Sequence, residues 1–339
     1  MLEGFVMWVS RGGFGLQIFD GHSDIFTDVL RRRLAGERQV LEWVHLPLLR
    51  AGGITGGCLV LWVDPPHTDA PAARLRALCQ AVREELAECE TAVLVHDLAE
   101  LQAAEAAGRF AILLGLEGLD AIGTDASAVD ALYDFGVRHA MLTWNNDNAL
   151  AGGAGGDPAR GLTAAGRQVL ARLEARRMIV DVSHLNDASF WDVMRAAHGP
   201  LIASHSDARA LADVPRNLTD AQLRAIADTG GLVGLNAFKG FVAQDPAAQT
   251  LDTFARHAAH IAETIGVRHL ALGFDFNEYL HQDAMASYNP QDNPNVPGLE
   301  DASKAQAFID ALRAVGFSED ELAQIAWQNW HRFIGALLG

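Results

Sequence analysis

Five apolar segments of the sequence each run into a residue of a type that binds divalent metal ions. The histidine and carboxylate residues that follow these segments are His22, Asp24, Glu117, His184, His205 and Asp275. His22 and Asp24 stand two positions apart, so in an extended strand both side chains would project to the same side and could share one ion. The recurrence of this pattern along the chain indicates a divalent metal site.

A fold that brings these residues together needs parallel strands. Short segments rich in valine, isoleucine and leucine alternate with longer amphipathic segments, as in repeated βα units. The predicted strands cover residues 15–20, 54–63, 111–116, 138–143, 178–183, 200–204, 231–236 and 269–274. Eight such strands predict an α/β fold, a (β/α)8 TIM-type barrel that forms a single domain over residues 1–339, with an additional C-terminal helix at 319–337. The carboxyl ends of barrel strands face one mouth, where the six residues would meet.

Each of these residues has an ordinary structural alternative when it is taken alone. A single histidine after a strand is more often a structural hydrogen-bonding residue than a metal ligand. Glu117 could instead be a carboxylate at the start of a helix, since Gly118 and Asp120 follow it. The occurrence of ligand types after five strands favours a metal site over these alternatives. Other histidines, His139 among them, show no partner in the sequence.

Two long loops follow predicted strands. Residues 144–161 are rich in glycine and asparagine, and residues 278–301 contain three prolines. Loops of this length inside a compact domain are commonly functional. In a barrel both loops would overhang the mouth that carries the metal site.

The composition limits the classes of binding partner that the protein could have. The 339 residues carry a formal net charge of −17, and they show no clustered basic face of the kind that binds nucleic acid. The three cysteines form no CxxC pair, so neither a disulfide framework nor a zinc–thiolate site is supported. The sequence shows neither a leader-like N-terminal segment nor a charge-free segment of membrane-spanning length. We therefore expect a cytoplasmic protein with no nucleic-acid partner and no membrane partner.

The motifs around the candidate ligands resemble those of a known family. They lie at residues 19–24, 115–118, 181–184, 203–206 and 298–301. The chain is similar in these motifs, which are spread along nearly its whole length, to the membrane (renal-type) dipeptidase family of zinc peptidases, which are amidohydrolase-like barrels. A His-x-Asp pair on the first strand and a bridging glutamate distinguish this family from most barrel amidohydrolases. The resemblance implies a binuclear centre with two Zn²⁺ per chain, a homodimer, and hydrolysis of dipeptides, including those with a C-terminal D-residue.

The resemblance also implies roles for the candidate ligands. His22 and Asp24 would hold one zinc ion, His184 and His205 would hold the other, and Glu117 would bridge the pair. Two such ions can share a hydroxide and polarise a carbonyl at the same time. Asp275 would take the proton from the attacking water and pass it to the leaving amine.

Arg216 and Trp144 stand at substrate-binding positions of the family, and Asn145 lies beside them. Arg216 matches the arginine that grips the substrate's C-terminal carboxylate, although outside the resemblance it would be an ordinary arginine before a helix. Trp144 stands where the mammalian members carry a histidine that stabilises the oxyanion, and an indole N–H can donate a hydrogen bond but cannot carry charge. Either zinc holds the oxyanion, or Asn145, Asn146 or Asn148 supplies the donor, or the substrate differs from a simple dipeptide.

The sequence therefore predicts a metallopeptidase, a zinc-dependent dipeptidase in which a metal-bridging hydroxide attacks the peptide carbonyl of a small dipeptide. An alternative is a related amidohydrolase that acts on an N-acyl-amino acid or a β-lactam-like ring. The replacement of the family histidine by Trp144 is the reason for this alternative. From a different class, the chain could be a barrel that binds dipeptides or metal without turnover. The intact set of ligand types and Asp275 argue against this last alternative.

Overall fold

The computed structural model describes residues 15–280 and 293–339, so residues 1–14 of the predicted domain and residues 281–292 of the second long loop lie outside it. Nine strands are formed by the described residues. They are β1 (Ile18–Ser23), β2 (Ile54–Trp62), β3 (Ala92–Leu94), β4 (Phe110–Glu117), β5 (Val137–Met141), β6 (Ile179–Asp181), β7 (Leu201–Ile202), β8 (Val233–Leu235) and β9 (Leu270–Leu272). Their residues are almost completely buried, which explains why they appear in the sequence as continuous apolar runs.

Eight of these strands follow one another around a parallel barrel. The pairing order is β1-β2-β4-β5-β6-β7, and β8 pairs with β9. A parallel bridge between Ala203 and Val233 continues the order from β7 to β8. Beside β9, Phe274 N donates a 2.8 Å hydrogen bond to Asp20 Oδ1 of β1, so the last strand adjoins the first. This arrangement confirms the predicted (β/α)8 TIM-type barrel.

Helices surround the strands. The main helices are α1 (Ile25–Leu34), α2 (Leu46–Ala51), α3 (Pro71–Glu88), α4 (Leu98–Ala106), α5 (Ala128–Phe135), α6 (Ala164–Ala175), α7 (Asp187–Ala196), α8 (Asp220–Asp228), α9 (Lys239–Val242), α10 (Leu251–Ile265), α11 (Ala305–Ala314), α12 (Glu319–Ala323) and α13 (Asn329–Leu337). The predicted C-terminal helix is present, but a π-helical turn at Gln324–Gln328 separates α12 from α13. Among the described helices, none is both long and apolar enough to cross a lipid bilayer.

The C-terminal helix packs against the interior of the barrel. Trp330 of α13 is fully buried, its ring centroid lies 5.5 Å from that of Phe19, and its Nε1 donates to Leu272 O at 3.1 Å. This contact explains Gly21 in the first motif. A Cβ at that position would lie 2.4 Å from Trp330 Cζ2, closer than any real contact, so a larger residue between the two strands would displace the helix.

The structure differs from the prediction at two strands. The first strand was expected at residues 15–20 but runs from Ile18 to Ser23, so His22 lies inside it rather than after it. The short strand β3 was not predicted. It pairs with the start of β4, through Ala92 opposite Phe110, and does not belong to the ring of eight.

Candidate active site

The strand ends bring the predicted ligands together around one carboxylate. Glu117 is the last residue of β4, and its Oε1 lies 2.7 Å from His184 Nε2 and 3.8 Å from His205 Nε2. Its other oxygen, Oε2, lies 3.5 Å from His22 Nε2. The two histidines after β6 and β7 face each other, with 2.8 Å between their Nε2 atoms. Glu117 thus stands between His22 on one side and the His184–His205 pair on the other.

A second group of donors surrounds His22. Its Nε2 lies 3.6 Å from Asp24 Oδ2 and 3.8 Å from Asp275 Oδ1. One atom from each of His22, Asp24 and Asp275 falls within a 4.8 Å cluster, and so does one atom from each of His22, Glu117 and His205. All six predicted residues therefore lie at the mouth of the barrel.

The donor atoms have the surroundings that a metal site requires. Both ring nitrogens of His22, Asp24 Oδ1 and Glu117 Oε2 are buried without a hydrogen-bond partner among the described residues. A buried polar atom that lacks a partner is costly unless another group, such as a cation, satisfies it. The set of imidazole nitrogens and carboxylate oxygens suits zinc or a similar divalent ion. The residues present therefore fit a metal centre.

The pKa shifts of the candidate ligands are also consistent with a metal site. Burial, together with the charge of Asp24, raises the pKa of Glu117 to about 8. Burial also raises the pKa of Asp275 to about 7. Burial alone would lower the pKa of His22, but the charges of Glu117 and Asp24 raise it well above its usual value. Desolvation lowers the pKa of His184 far below normal, which keeps its ring neutral. Two buried carboxyl groups of the site thus resist ionisation, and a bound cation would favour their ionised form.

Neighbouring side chains orient the two paired histidines. Asn145 Oδ1 lies 2.7 Å from His184 Nδ1, so it accepts the Nδ1 proton and leaves the Nε2 lone pair directed at the site. Ser204 Oγ lies 2.7 Å from His205 Nδ1 and makes the corresponding contact. Asn145, predicted as one of three alternative donors to the oxyanion, thus positions a candidate ligand.

A buried pair that the sequence did not reveal supports both histidines from below. Asp181, the last residue of β6, accepts hydrogen bonds at Oδ1 from Ser183 N at 2.8 Å and Ser204 N at 3.2 Å. Its Oδ2 lies 2.7 Å from His139 Nε2. Each of these serines immediately precedes one of the paired histidines. The one signal in the sequence was Asp181 itself, a charged residue inside an otherwise apolar strand.

Two other contacts support the remaining site residues. Asn236 Nδ2 donates to Asp275 Oδ2 at 3.0 Å, which leaves Oδ1 on the side of His22. Tyr279 OH accepts from Asp24 N at 3.1 Å and lies 3.0 Å from Ser23 Oγ. The first contact joins the segments that follow β8 and β9, and the second joins the segment after β9 to the end of β1.

The predicted substrate-binding residues lie at the same mouth. Arg216 is 7% exposed, and its Nη2 lies 3.2 Å from His184 Nε2 and donates to His205 O at 3.1 Å. Trp144 follows β5, with its ring centroid 5.2 Å from that of Trp62 and 6.2 Å from that of His184. The pocket above the ligands is lined by Asp24, Trp62, Glu117, Trp144, His184, Phe238, Phe241, Asp275, Asn277 and Leu280.

Known proteins are similar to this chain in sequence and in architecture. An uncharacterized dipeptidase of Schizosaccharomyces pombe is 30% identical over 336 residues, which cover 92% of this chain and 78% of the yeast protein. A metallo-peptidase from Rhodobacter sphaeroides, solved with a phosphinate mimic of the dipeptide L-Ala-D-Ala, is 25% identical with a TM-score of 0.84, over 96% of this chain and 100% of that one. The structure of the dipeptidase AC, a metallo-peptidase of family M19, is 27% identical with a TM-score of 0.84, over 96% of this chain and 99% of its own.

The family itself follows from the sequence model that the chain matches. Residues 15–337 match the family described as membrane dipeptidase, peptidase family M19. The match extends over both described parts of the barrel and includes Glu117 and the five residues that meet around it. The chain therefore belongs to the membrane dipeptidase family, whose members are metallo-dipeptidases.

Proposed function

We propose that this protein is a zinc-dependent dipeptidase that holds two Zn²⁺ per chain and hydrolyses small dipeptides, including those with a C-terminal D-residue. The observation that carries the proposal is the position of Glu117, whose two oxygens face His184 at 2.7 Å and His22 at 3.5 Å. A carboxylate placed in this way can contribute one oxygen to each of two ions. The L-Ala-D-Ala mimic bound by the Rhodobacter sphaeroides relative supports the substrate class.

The chain offers two groups of ligands for the ions. His22 and Asp24 would hold one ion, His184 and His205 would hold the other, and Glu117 would contact both. When bound, zinc lowers the pKa of water toward 7 and polarises a carbonyl oxygen. The orphaned donor atoms of His22, Asp24 and Glu117 support this assignment, because each would gain a partner.

Asp275 would move the proton during hydrolysis. It would accept the proton of the attacking water and deliver it to the amine nitrogen that leaves. Its Oδ1 lies 3.8 Å from His22 Nε2, close enough to the ligand group to reach a water that the ions would hold. The hydrogen bond from Asn236 to Oδ2 holds the carboxylate in place and keeps Oδ1 toward the site.

Arg216 would bind the carboxylate at the C-terminal end of the substrate. The guanidinium lies beside His184 and is almost entirely buried at the mouth. A planar guanidinium matches a carboxylate through two parallel hydrogen bonds, and low exposure strengthens such a pair. This contact would explain a preference for dipeptides, since a longer chain places no carboxylate at that position.

The test is hydrolysis of L-Ala-L-Ala and L-Ala-D-Ala by chelator-treated enzyme before and after zinc is restored, with bound metal counted in parallel. We expect no turnover without metal and recovery as the metal content approaches two ions per chain. Full metal binding without turnover of either dipeptide would contradict the proposed substrate. Recovery at one ion per chain would contradict the binuclear centre.

Trp144 favours one alternative substrate class. An indole at this position cannot supply the cationic donor that the family histidine offers to a peptide oxyanion, so a related amidohydrolase acting on an N-acyl-amino acid or a β-lactam-like ring is the second candidate. The same enzyme assayed with a panel of N-acyl-amino acids distinguishes the two. The homodimer and the cytoplasmic location stay predictions from the sequence.

A further inference from the structure

The pocket above the candidate metal ligands has aromatic walls. Four of its lining residues, Trp62, Trp144, Phe238 and Phe241, carry aromatic rings, and Leu280 adds another apolar side chain. Apart from the acidic groups and His184 at the floor, Asn277 supplies the one polar side chain among the described lining residues. The pocket is therefore apolar wherever it does not contact the reacting groups, a composition typical of small-molecule sites.

The aromatic residues form two separate pairs. Trp62 and Trp144 lie with their ring centroids 5.2 Å apart. Trp62 ends β2 and Trp144 follows β5, the two strands on either side of β4, which ends at Glu117. Phe238 and Phe241 lie 4.7 Å apart in the segment after β8. The reacting groups stand between a tryptophan wall and a phenylalanine wall.

The position of Arg216 indicates which wall lies near the C-terminal end of the substrate. Its Cζ lies 5.4 Å from the ring centroid of Phe241, so the guanidinium belongs to the phenylalanine side. Trp62, at the end of β2, lies four strands away around the ring from β7, whose following segment carries Arg216. If Arg216 binds the C-terminal carboxylate, the C-terminal residue of the substrate lies along the phenylalanine wall. The N-terminal residue then faces the tryptophan wall.

We infer that the Trp62–Trp144 wall selects dipeptides whose N-terminal residue has a large apolar or aromatic side chain, an inference that rests on the proposed dipeptidase function. Such a side chain gains contact with two indole rings and leaves water. A charged side chain at the same place loses its hydration without gaining a partner, because the wall offers no charged group. Specificity for the N-terminal residue is thus assigned to these two tryptophans.

The experiment compares kcat/KM for Phe-Ala, Leu-Ala, Gly-Ala and Asp-Ala with the reversed series Ala-Phe, Ala-Leu, Ala-Gly and Ala-Asp. Zinc-loaded enzyme of known metal content is used for all eight substrates. Removing several methylene equivalents from an apolar pocket costs tenfold or more, so we expect Phe-Ala to exceed Gly-Ala by at least about tenfold and Asp-Ala to be poorest. The reversed series would show a smaller spread if the tryptophan wall is the selective one.

Variants distinguish an effect of the tryptophan wall on specificity from an effect on folding. Trp144→Ala removes one half-buried ring and is expected to reduce the Phe-Ala to Gly-Ala ratio about tenfold at unchanged metal content. Trp62 is 3% exposed, so Trp62→Phe, which keeps a ring in the core, is the safer second variant and should reduce the ratio less. Trp43→Ala is the control, because Trp43 is 71% exposed and does not line the pocket.

The outcomes are distinct. A flat N-terminal series in the wild type, or an unchanged ratio in Trp144→Ala, overturns the inference while leaving a dipeptidase. A larger effect of Phe241→Ala than of Trp144→Ala on the N-terminal series would assign the walls the other way and also overturn it. No turnover of any of the eight dipeptides at full metal content would instead contradict the proposed function.

Discussion

Asp181 and His139 form a completely buried pair beneath the metal site, with 2.7 Å between Asp181 Oδ2 and His139 Nε2. Burial alone would lower the pKa of His139, but Cys58 and Asp181 raise it to about 9, and the same contact lowers the pKa of Asp181. The contact therefore favours the charged form of both groups. The carboxylate also holds the backbone of Ser183 and Ser204, so one side chain ties together the two segments that deliver the paired histidines.

Replacing Asp181 with alanine should therefore weaken metal binding at a distance. We expect zinc affinity to fall by about 10- to 100-fold, as for other residues that orient metal ligands without touching the ion. Stability should fall by about 3–5 kcal/mol, because His139 loses its buried partner and Ser183 N and Ser204 N lose their acceptor. Zinc titration against a competing chelator and thermal unfolding measure the two effects.

Glu85 supplies the matched control for that variant. It is a fully buried carboxylate that accepts from Leu41 N at 2.7 Å and pairs with Arg33 at 2.7 Å, outside the strand ends of the site. Glu85→Ala should destabilise the fold comparably but leave zinc affinity unchanged. Equal losses of zinc affinity in both variants would show that Asp181 acts through general stability alone.

Asp275→Asn should abolish most of the activity while keeping the metal. An amide of the same shape cannot accept the proton of the attacking water, and the loss of a general base costs about 10²–10⁴ in rate. The variant's kcat is measured together with its metal content. If one ion is lost along with the activity, Asp275 acts as a ligand of the His22 group rather than as the proton carrier, which its 3.8 Å distance to His22 would then explain.

Arg216→Lys tests recognition of the substrate carboxylate. A lysine keeps the positive charge but cannot form two parallel hydrogen bonds, so KM for a dipeptide should rise at least about tenfold with a smaller change in kcat. A dipeptide amide lacks the carboxylate and should be affected much less by the substitution. An equal effect on dipeptide and dipeptide amide would mean that Arg216 serves the site through its contacts with His184 and the His205 carbonyl instead.

Metal-free protein should lose stability as the pH rises from about 6.5 to 9. Burial raises the pKa of Glu117 to about 8 and that of Asp275 to about 7, so the folded chain binds protons that the unfolded chain releases. The stability that these groups contribute is lost as the pH passes through their folded-state pKa values. The lowered pKa values of His184 and His205 act below about pH 6.5, the usual value for histidine, and so outside this window.

Bound zinc should remove the part of this pH dependence that Glu117 and Asp275 contribute, because nearby cations favour the ionised carboxylates. Thermal unfolding at a series of pH values, with chelator and with zinc, measures the difference. The midpoint temperature of the metal-free protein should fall more steeply with pH than that of the zinc-loaded protein. Parallel curves would indicate that the raised carboxylates do not meet the metal.

The barrel was predictable because its strands are buried on both faces and therefore stand out as apolar runs between amphipathic segments. The first strand was misplaced, since the buried polar residues Asp20 and His22 interrupt its apolar pattern. With three residues, β3 is too short to give a pattern at all. The candidate ligands could be predicted from the sequence, because each follows or ends an apolar strand and the carboxyl ends of all barrel strands lie at one mouth.

The support of the site was not predictable in the same way. His139 lies opposite Ile179 and reaches Asp181 only through the register of β5 on β6 and the tilt of the side chains between strands. Sequence gives neither quantity. The contact between Asn145 and His184 likewise depends on how the loop after β5 folds back, because these residues are 39 positions apart.

His184 and Asp275 both adopt left-handed backbone conformations, with φ of 68° and 56°. Such conformations cost a non-glycine residue about 1–2 kcal/mol, yet glycine, which would relieve the cost, carries no ligand and no proton acceptor. Selection for folding alone would favour glycine at both positions. Under the proposed function, the chain therefore carries a cost in stability at two positions that activity needs, and His184→Gly or Asp275→Gly would combine a loss of activity with a locally less strained backbone.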